Sequence, residues 1–493
     1  MASELPFDAR DSWQNHLGNQ SVDPLRIYEP ESIEQVAAIV AEAARTGVTA
    51  RAVGSGHSWS DVALTTGFVI LAGQLSHIPA TEPDFLRPEW ADRHLVRAGA
   101  GVRIKELNAY LDEQGLALSN MGGYDHQTLA GVVSTSTHGS GSAFGPLNDS
   151  VHSVDLVAGN GRVYRIERAD GPTDPAAYAA HHGDRRTLRQ SDAMFDAVSV
   201  SMGCMGVLCT AMLEVEPKYF LKEVREFHTW DRVRADLEEG EVLRRNRHYE
   251  VLFSPYRRKH AYPCLVTTRN YTESPEHKWF DKRSRNWAVE LASAFPFTPN
   301  IINLIVDLRP SLCPFLLENA IRALIKDEYY EVSYKVLNIG AANVLPAYSA
   351  EIGVPMDGRH LEAVDRIIAV ADERRRLGEA YQSSPISFRF VKASPAYMSM
   401  MSGRDTMMIE LIQLSRIEGG YELLAAYEEA LYELGGRPHW GQVNTLTGSH
   451  DFVRSMYPSY DAWLQVRREL DPDGVFDSPF TKRVGISPER FAP

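Results

Sequence analysis

A chain of 493 residues is too long for one hydrophobic core, so two domains are expected. Its 44% hydrophobic and 24% charged residues are ordinary for a globular protein and exclude a mostly disordered chain. The net charge of −14, from 51 Lys+Arg against 65 Asp+Glu with no basic run, repels polyanions and excludes nucleic acid from the expected partners.

The opening segment, MASELPFDARDSW, carries acidic residues where a secretory leader needs a basic end and an apolar run, so a cytoplasmic protein is expected. Ser32 with Gln35 reads as a reciprocal helix cap, opening a helix that buries Val36, Val40 and Ala43 and stops at Gly47. Strands are predicted over 48–53, 67–73 and 94–98, and a helix marked by Ile104, Leu107 and Leu111 ends near Gly115. Asn160-Gly161 signals a tight hairpin, and a strand over 206–215 closes this part of the chain.

From about residue 218 the texture changes: strand patterns at 250–253, 265–268, 386–391 and 407–413 alternate with long polar helices such as 359–377, and 421–434 reads as an amphipathic helix. This α+β alternation predicts a first domain over 1–217, a substrate or cap domain of antiparallel sheet and helices over 218–430, and a C-terminal segment, 431–493, returning to the first domain to complete the site. The most apolar stretch, 295–317, is broken by Asp307, Arg309 and prolines, so no membrane span is expected. The four cysteines (Cys204, Cys209, Cys264, Cys313) lie far apart and without metal-ligand spacing, as reduced buried thiols do; no metal is expected.

Two glycine-rich runs carry the chemistry. In Arg51-Ala-Val-Gly-Ser-Gly-His-Ser58 a strand ends in a turn whose backbone N–H groups can converge on an anion. It lacks the third glycine of a Rossmann fingerprint, so these residues alone leave an anion-binding turn and a plain loop both open. The second run, Asn120-Met-Gly-Gly-Tyr-Asp-His-Gln-Thr-Leu-Ala-Gly131 continuing as VVSTSTHGSG, has side chains small enough to admit a large ligand against the backbone, and Ser134, Thr135 and Thr137 offer hydroxyl donors to it.

Together with HWGQ and RRELDPDGVF near the C-terminus, these runs resemble the vanillyl-alcohol-oxidase superfamily of FAD enzymes, and within it the aldonolactone and alditol oxidases. The resemblance covers roughly 20–217 and 385–485. It implies FAD, held by Gly54, Ser55, Gly56 and Ser58 at the pyrophosphate and joined through its 8α-methyl to His57; an unmodified His57 beside a non-covalent flavin is the other reading. Gly123, Thr128, Gly131, Ser134, Thr137, His138 and Gly139 would surround the rest of the cofactor, with Gly206 and Val207 near the adenine. Gly122 stands where relatives gate dioxygen, and its small size implies oxidase behaviour with release of H2O2; a glycine needed only for the turn is the other reading.

The substrate positions depart from the family pattern. Arg389 is kept, but Ser387 stands where alditol oxidases carry a glutamate, and Gln442 stands where they carry a lysine. The expectation is a pocket that binds through neutral donors and acceptors, suited to a polyol, a sugar lactone or a nucleoside primary hydroxyl. His439 is either the acceptor of the substrate's hydroxyl proton or a structural residue, Arg389 would stabilise developing negative charge, and Gln442 would orient the substrate. Trp440 is expected to pack. Partners would be a small-molecule substrate and O2, the chain a monomer or small homo-oligomer. A dehydrogenase with another electron acceptor, and a catalytically inert flavin-binding module, are the alternatives.

Overall fold

The computed structural model describes residues 7–8, 10–79, 85–273, 309–325, 328–339, 347–415 and 417–487. The expectation for residues 295–317 falls outside the described residues up to 308, as does that for the first six residues. Among the described residues no helix is long and apolar enough to cross a membrane.

The first part of the chain builds two sheets. β1 (Phe7–Asp8), β2 (Arg26–Tyr28), β3 (Ala50–Val53) and β4 (Phe68–Leu71) form one, in the order β1-β2-β4-β3, with β4 parallel to both neighbours. Between β2 and β3 runs α1 (Ile33–Thr46), which starts where Ser32 Oγ accepts the Gln35 N–H at 3.2 Å and ends at Gly47, where φ is 68°. The Gln35 side chain accepts from the Glu31 N–H instead of that of Ser32, so only half of the expected reciprocal cap forms.

The second sheet holds β5 (Leu95–Gly99), β6 (Val151–Val157), β7 (Val163–Glu167), β8 (Arg186–Gln190) and β9 (Val207–Glu214), in the order β8-β7-β6-β9-β5. Asn160-Gly161 turns β6 into β7 as expected. Helices α2 (Ile104–Glu113), α3 (Leu129–Ser134) and α4 (Asp192–Ser199) accompany it.

A third large sheet is antiparallel: β10 (Phe220–Thr229), β11 (His248–Phe253), β12 (Pro263–Thr272), β13 (Tyr329–Val332), β14 (Ala347–Pro355), β15 (Ile386–Val391), β16 (Thr406–Leu414) and β17 (Arg437–Pro438), ordered β13-β10-β12-β11-β15-β16-β14-β17. Two short strand pairs, Trp13–Gln14 with Ser21–Val22 and Leu116–Ala117 with Glu216–Pro217, stand apart from it. Period-two alternation divides its faces. On β15, Ile386, Phe388 and Phe390 enter a core shared with the helices α5 (Arg359–Leu377) and α6 (Gly420–Tyr432), while Ser387 and Arg389 face the other way into a cleft. β11 repeats the pattern, with Val251 and Phe253 in the core and Glu250 and Leu252 on the cleft.

Beyond β17 the chain crosses to the first sheets. Ser60 Oγ donates to Trp440 O at 2.6 Å, and the Trp59 N–H donates to Gly441 O at 2.8 Å. The helix Tyr460–Leu470 packs on α4, its Trp463 Nε1 donating to Val200 O at 3.2 Å. Trp440 is fully buried and donates to Met398 O at 2.7 Å, which makes it the packing residue expected. All four cysteines are free and buried.

Candidate active site

One cleft, with about 2220 Å³ of empty space partly continuous with solvent, runs between the glycine-rich loops and the antiparallel sheet. Its first wall is the turn after β3, Gly54 to Ser58, facing Gly122, Gly123, Thr128 and Gly131. A Cβ on Gly54 would overlap Thr128 Oγ1, and Gly56 sits at a φ of +67°, so neither position takes a larger side chain without strain. Backbone is thereby bared along this wall, and FAD fits the chemistry of its small residues and hydroxyls. Ser134, Thr137, His138 and Gly206 also line the cleft. Gly139 and Val207 do not: Gly139 is packed against the Asn120 side chain and Met121 O behind the wall, and Val207 lies in the core with Val157 and Cys209.

His57 projects from this turn into the cleft, its ring 4.4 Å from that of His16 and its Nε2 3.5 Å from Tyr124 Oη. Burial lowers its pKa to about 4, aided by His16, His126 and Arg103, so the ring is neutral near pH 7 and keeps a nucleophilic nitrogen.

The opposite wall is charged. The Arg389 guanidinium reaches three carboxylates on three strands: Glu250 on β11 at 3.3 Å, Glu351 on β14 at 3.2 Å and Glu410 on β16 at 2.7 Å. Glu250 is shared with Arg269 at 3.1 Å and also accepts from Ser387 Oγ at 3.2 Å. The expected neutral pocket is thus corrected in one respect: Ser387 adds no charge, but Glu250 on the neighbouring strand places a carboxylate beside it. Gln442 Oε1 accepts from Ser349 Oγ at 2.8 Å, leaving its NH2 group as a donor for a ligand.

Burial pushes the Glu410 carboxyl upward and Glu351 and Glu250 add to this, against the opposing pull of Arg389. Glu351 moves the other way, because His138, Arg389 and His439 outweigh its burial. His138 places Nδ1 2.9 Å from Gly139 O and Nε2 3.4 Å from Glu351 Oε1, so both ring nitrogens face oxygens. His439 is fully enclosed, and burial, with His138 and Arg389, lowers its pKa to about 4 against the opposing Glu351. Its Nδ1 accepts the Gly441 N–H at 3.1 Å, which puts the proton of the neutral ring on Nε2.

All four substrate-side residues expected from sequence, Ser387, Arg389, His439 and Gln442, therefore meet in the cleft that the His57 turn lines. Glu250, Glu351 and Glu410 were missed. Each is a single acid inside an apolar strand run (YEVLF, SAEIGV, MIELI), and that oddity was the available signal.

A long cleft walled by backbone on one side and by a polar antiparallel sheet on the other belongs to a flavin-dependent oxidoreductase of two domains, and comparison with known proteins agrees. Residues 24–167 match the FAD binding domain family. Residues 211–484, more than half of the chain, match the family described as D-arabinono-1,4-lactone oxidase, and the chain belongs to that family. The chain is 28% identical to an L-gulono-1,4-lactone dehydrogenase of Mycobacterium tuberculosis over 96% of this chain and 98% of the relative. It is 26% identical to an alditol oxidase of a Streptomyces species over 95% and 97%. The fold matches cholesterol oxidase from B. sterolicum with a TM-score of 0.76 at 14% identity, covering 96% of both chains. The protein is an FAD-dependent oxidoreductase of the aldonolactone and alditol oxidase type, acting on CH–OH groups.

Proposed function

We propose that this protein is an FAD-dependent oxidase of a sugar-like substrate, a polyol, a sugar lactone or a nucleoside primary hydroxyl, with O2 reduced to H2O2. The observation that carries this reading is that Arg389, ringed by three carboxylates, lines the same cleft as the His57 turn. When bound, FAD supplies the acceptor of hydride from the carbinol carbon. Gly54, Ser55, Gly56 and Ser58 would hold its pyrophosphate, and the neutral imidazole of His57 would carry it covalently.

On the substrate side, Arg389 offsets negative charge on the oxygen of the carbinol, and the Gln442 amide orients it. The hydroxyl proton goes to Glu410, whose raised carboxyl lines the cleft beside Arg389. His439 keeps a positioning role, because its Nδ1 lone pair is already engaged by the Gly441 N–H. A panel of polyols, lactones and nucleosides read by peroxide release, run beside denaturation to see whether the flavin stays with the polypeptide, tests the reading. A substrate that releases peroxide supports it; a protein whose yellow colour bleaches with none of them contradicts it.

Electron transfer to a carrier is the second reading, favoured by the relative named a dehydrogenase. Against it stands Gly122, which lines the cleft with no side chain to close it. Peroxide release compared with dye reduction under air separates the two. The proposal extends to a cytoplasmic protein, active as a monomer or small homo-oligomer without membrane or nucleic-acid partners.

A further inference from the structure

The cleft face of the antiparallel sheet changes character along its strands. Register sets Glu250 opposite Arg389 on one side and Thr267 on the other, a polar stretch that ends at Met408, the partner of Arg389 on β16. Two residues further along, Leu252 stands opposite Ser387 and Leu265, and Ser387 stands opposite Glu410. Beyond them, at the entry to β15 and further along β16, the cleft is lined by Pro385 and Ile412. A two-residue step along a strand is about 7 Å. Leu265 and Leu324 are 1% exposed and pack together with Ile321, Leu252 and Phe227 in a small apolar cluster of their own, the helix Cys313–Ala323 backing it. The substrate chamber is therefore an ion-pair lattice where Arg389 meets Glu250, Glu351 and Glu410, and it is apolar where Leu252, Leu265, Leu324, Pro385 and Ile412 line it.

A free polyol, with a hydroxyl on every carbon, matches only the lattice: hydroxyls pressed against the apolar part would lose water and gain no partner. From this division we infer that the substrate is two-faced: a hydroxylated, sugar-like end bearing the carbinol lies over Arg389 and Glu410, and an apolar or aromatic substituent on the same molecule lies against the leucine wall. The inference rests on the oxidase reading above and narrows its substrate class.

The test uses the holoenzyme and matched substrates: a free pentose, the same pentose carrying a phenyl or purine aglycone, and its n-alkyl glycosides of increasing chain length. The substituted sugars are expected to show kcat/KM at least about tenfold above the free sugar, and each added methylene to lower KM about threefold until the wall is covered. In Leu252→Asn, and independently in Ile412→Asn in case the first does not fold, the ratio of substituted to free sugar is expected to fall toward unity. Equal kcat/KM for free and substituted sugars in the wild-type enzyme would overturn the inference while leaving the oxidase reading intact. Flavin that no sugar of either kind reduces would overturn both.

Discussion

Arg389 and Glu250 are register partners on adjacent antiparallel strands, with the guanidinium Nε 3.3 Å from Glu250 Oε1. Because cross-strand partners share a face, this pairing brings the cation into the cleft together with the acids of two further strands. A guanidinium can serve three carboxylates at once because its five N–H donors form a fixed planar fork, which an ammonium lacks.

Removing the cation leaves buried carboxylates uncompensated. Arg389→Met is expected to cost about 3–5 kcal/mol of stability, the range for breaking a buried ion pair, and to lower kcat/KM by at least about a hundredfold. Arg389→Lys keeps a charge but not the fork and is expected to fall between Met and wild type. Thermal unfolding and steady-state kinetics on the three proteins check this.

His57→Ala is expected to release its flavin completely on acid precipitation, whereas the wild-type pellet stays yellow. Because the ring is neutral above about pH 4, cofactor attachment to the apoprotein should proceed equally well from pH 6 to pH 8.

Glu410 carries a pH prediction. Its carboxyl is raised above the usual 4.5, and only the ionised form accepts a proton, so wild-type kcat/KM should fall on the acid side with a midpoint above that value. Glu410→Gln should lose this limb and run about a hundredfold slower or worse. An unchanged acid limb in the variant would assign the proton elsewhere.

Gly122 bears on oxygen. An added Cβ there would stand 3.1 Å from Thr137 Cγ2 and 3.5 Å from His138 O, so Gly122→Ala asks the threonine methyl to give by only a few tenths of an ångström and should fold. Peroxide formation is expected to slow about tenfold more than dye-coupled turnover does. Equal slowing of both would mean that the glycine serves only the turn.

Away from the site, Glu428 is a buried carboxyl raised to about 7 by burial, although Thr445 donates to it through its N–H at 2.8 Å and through its hydroxyl. An acid with a higher pKa folded than unfolded binds its proton more tightly in the native state, so stability is lost as pH rises from about 4 to 7. Glu428→Gln should therefore be indistinguishable from wild type near pH 4 and more stable at pH 8, by roughly 1–3 kcal/mol in thermal unfolding.

How much of this was legible in the chain depended on whether the information was local. The helix Ile33–Thr46 announces its own ends through Ser32 and Gly47, and the glycine turn ahead of His57 is written in consecutive residues. Arg389 was placed through the resemblance to the alditol oxidases, and the cleft brings it together with Ser387, Gln442 and His439. Glu250, Glu351 and Glu410 were illegible as a set, since strand pairing alone unites residues 160 positions apart, and a lone acid in a strand ordinarily faces water. A small-residue run shows that backbone approaches something closely without saying what, and on the Cβ side of Gly139 that something is Asn120.

The most direct test of the account is anaerobic mixing of the holoprotein with sugar-like alcohols while the flavin's yellow absorbance is followed, in wild type and in Arg389→Met. Rapid bleaching is expected in wild type and at least about a hundredfold slower bleaching in the variant. Bleaching at the same rate in both proteins, or in neither with any polyol, lactone or nucleoside, would contradict it.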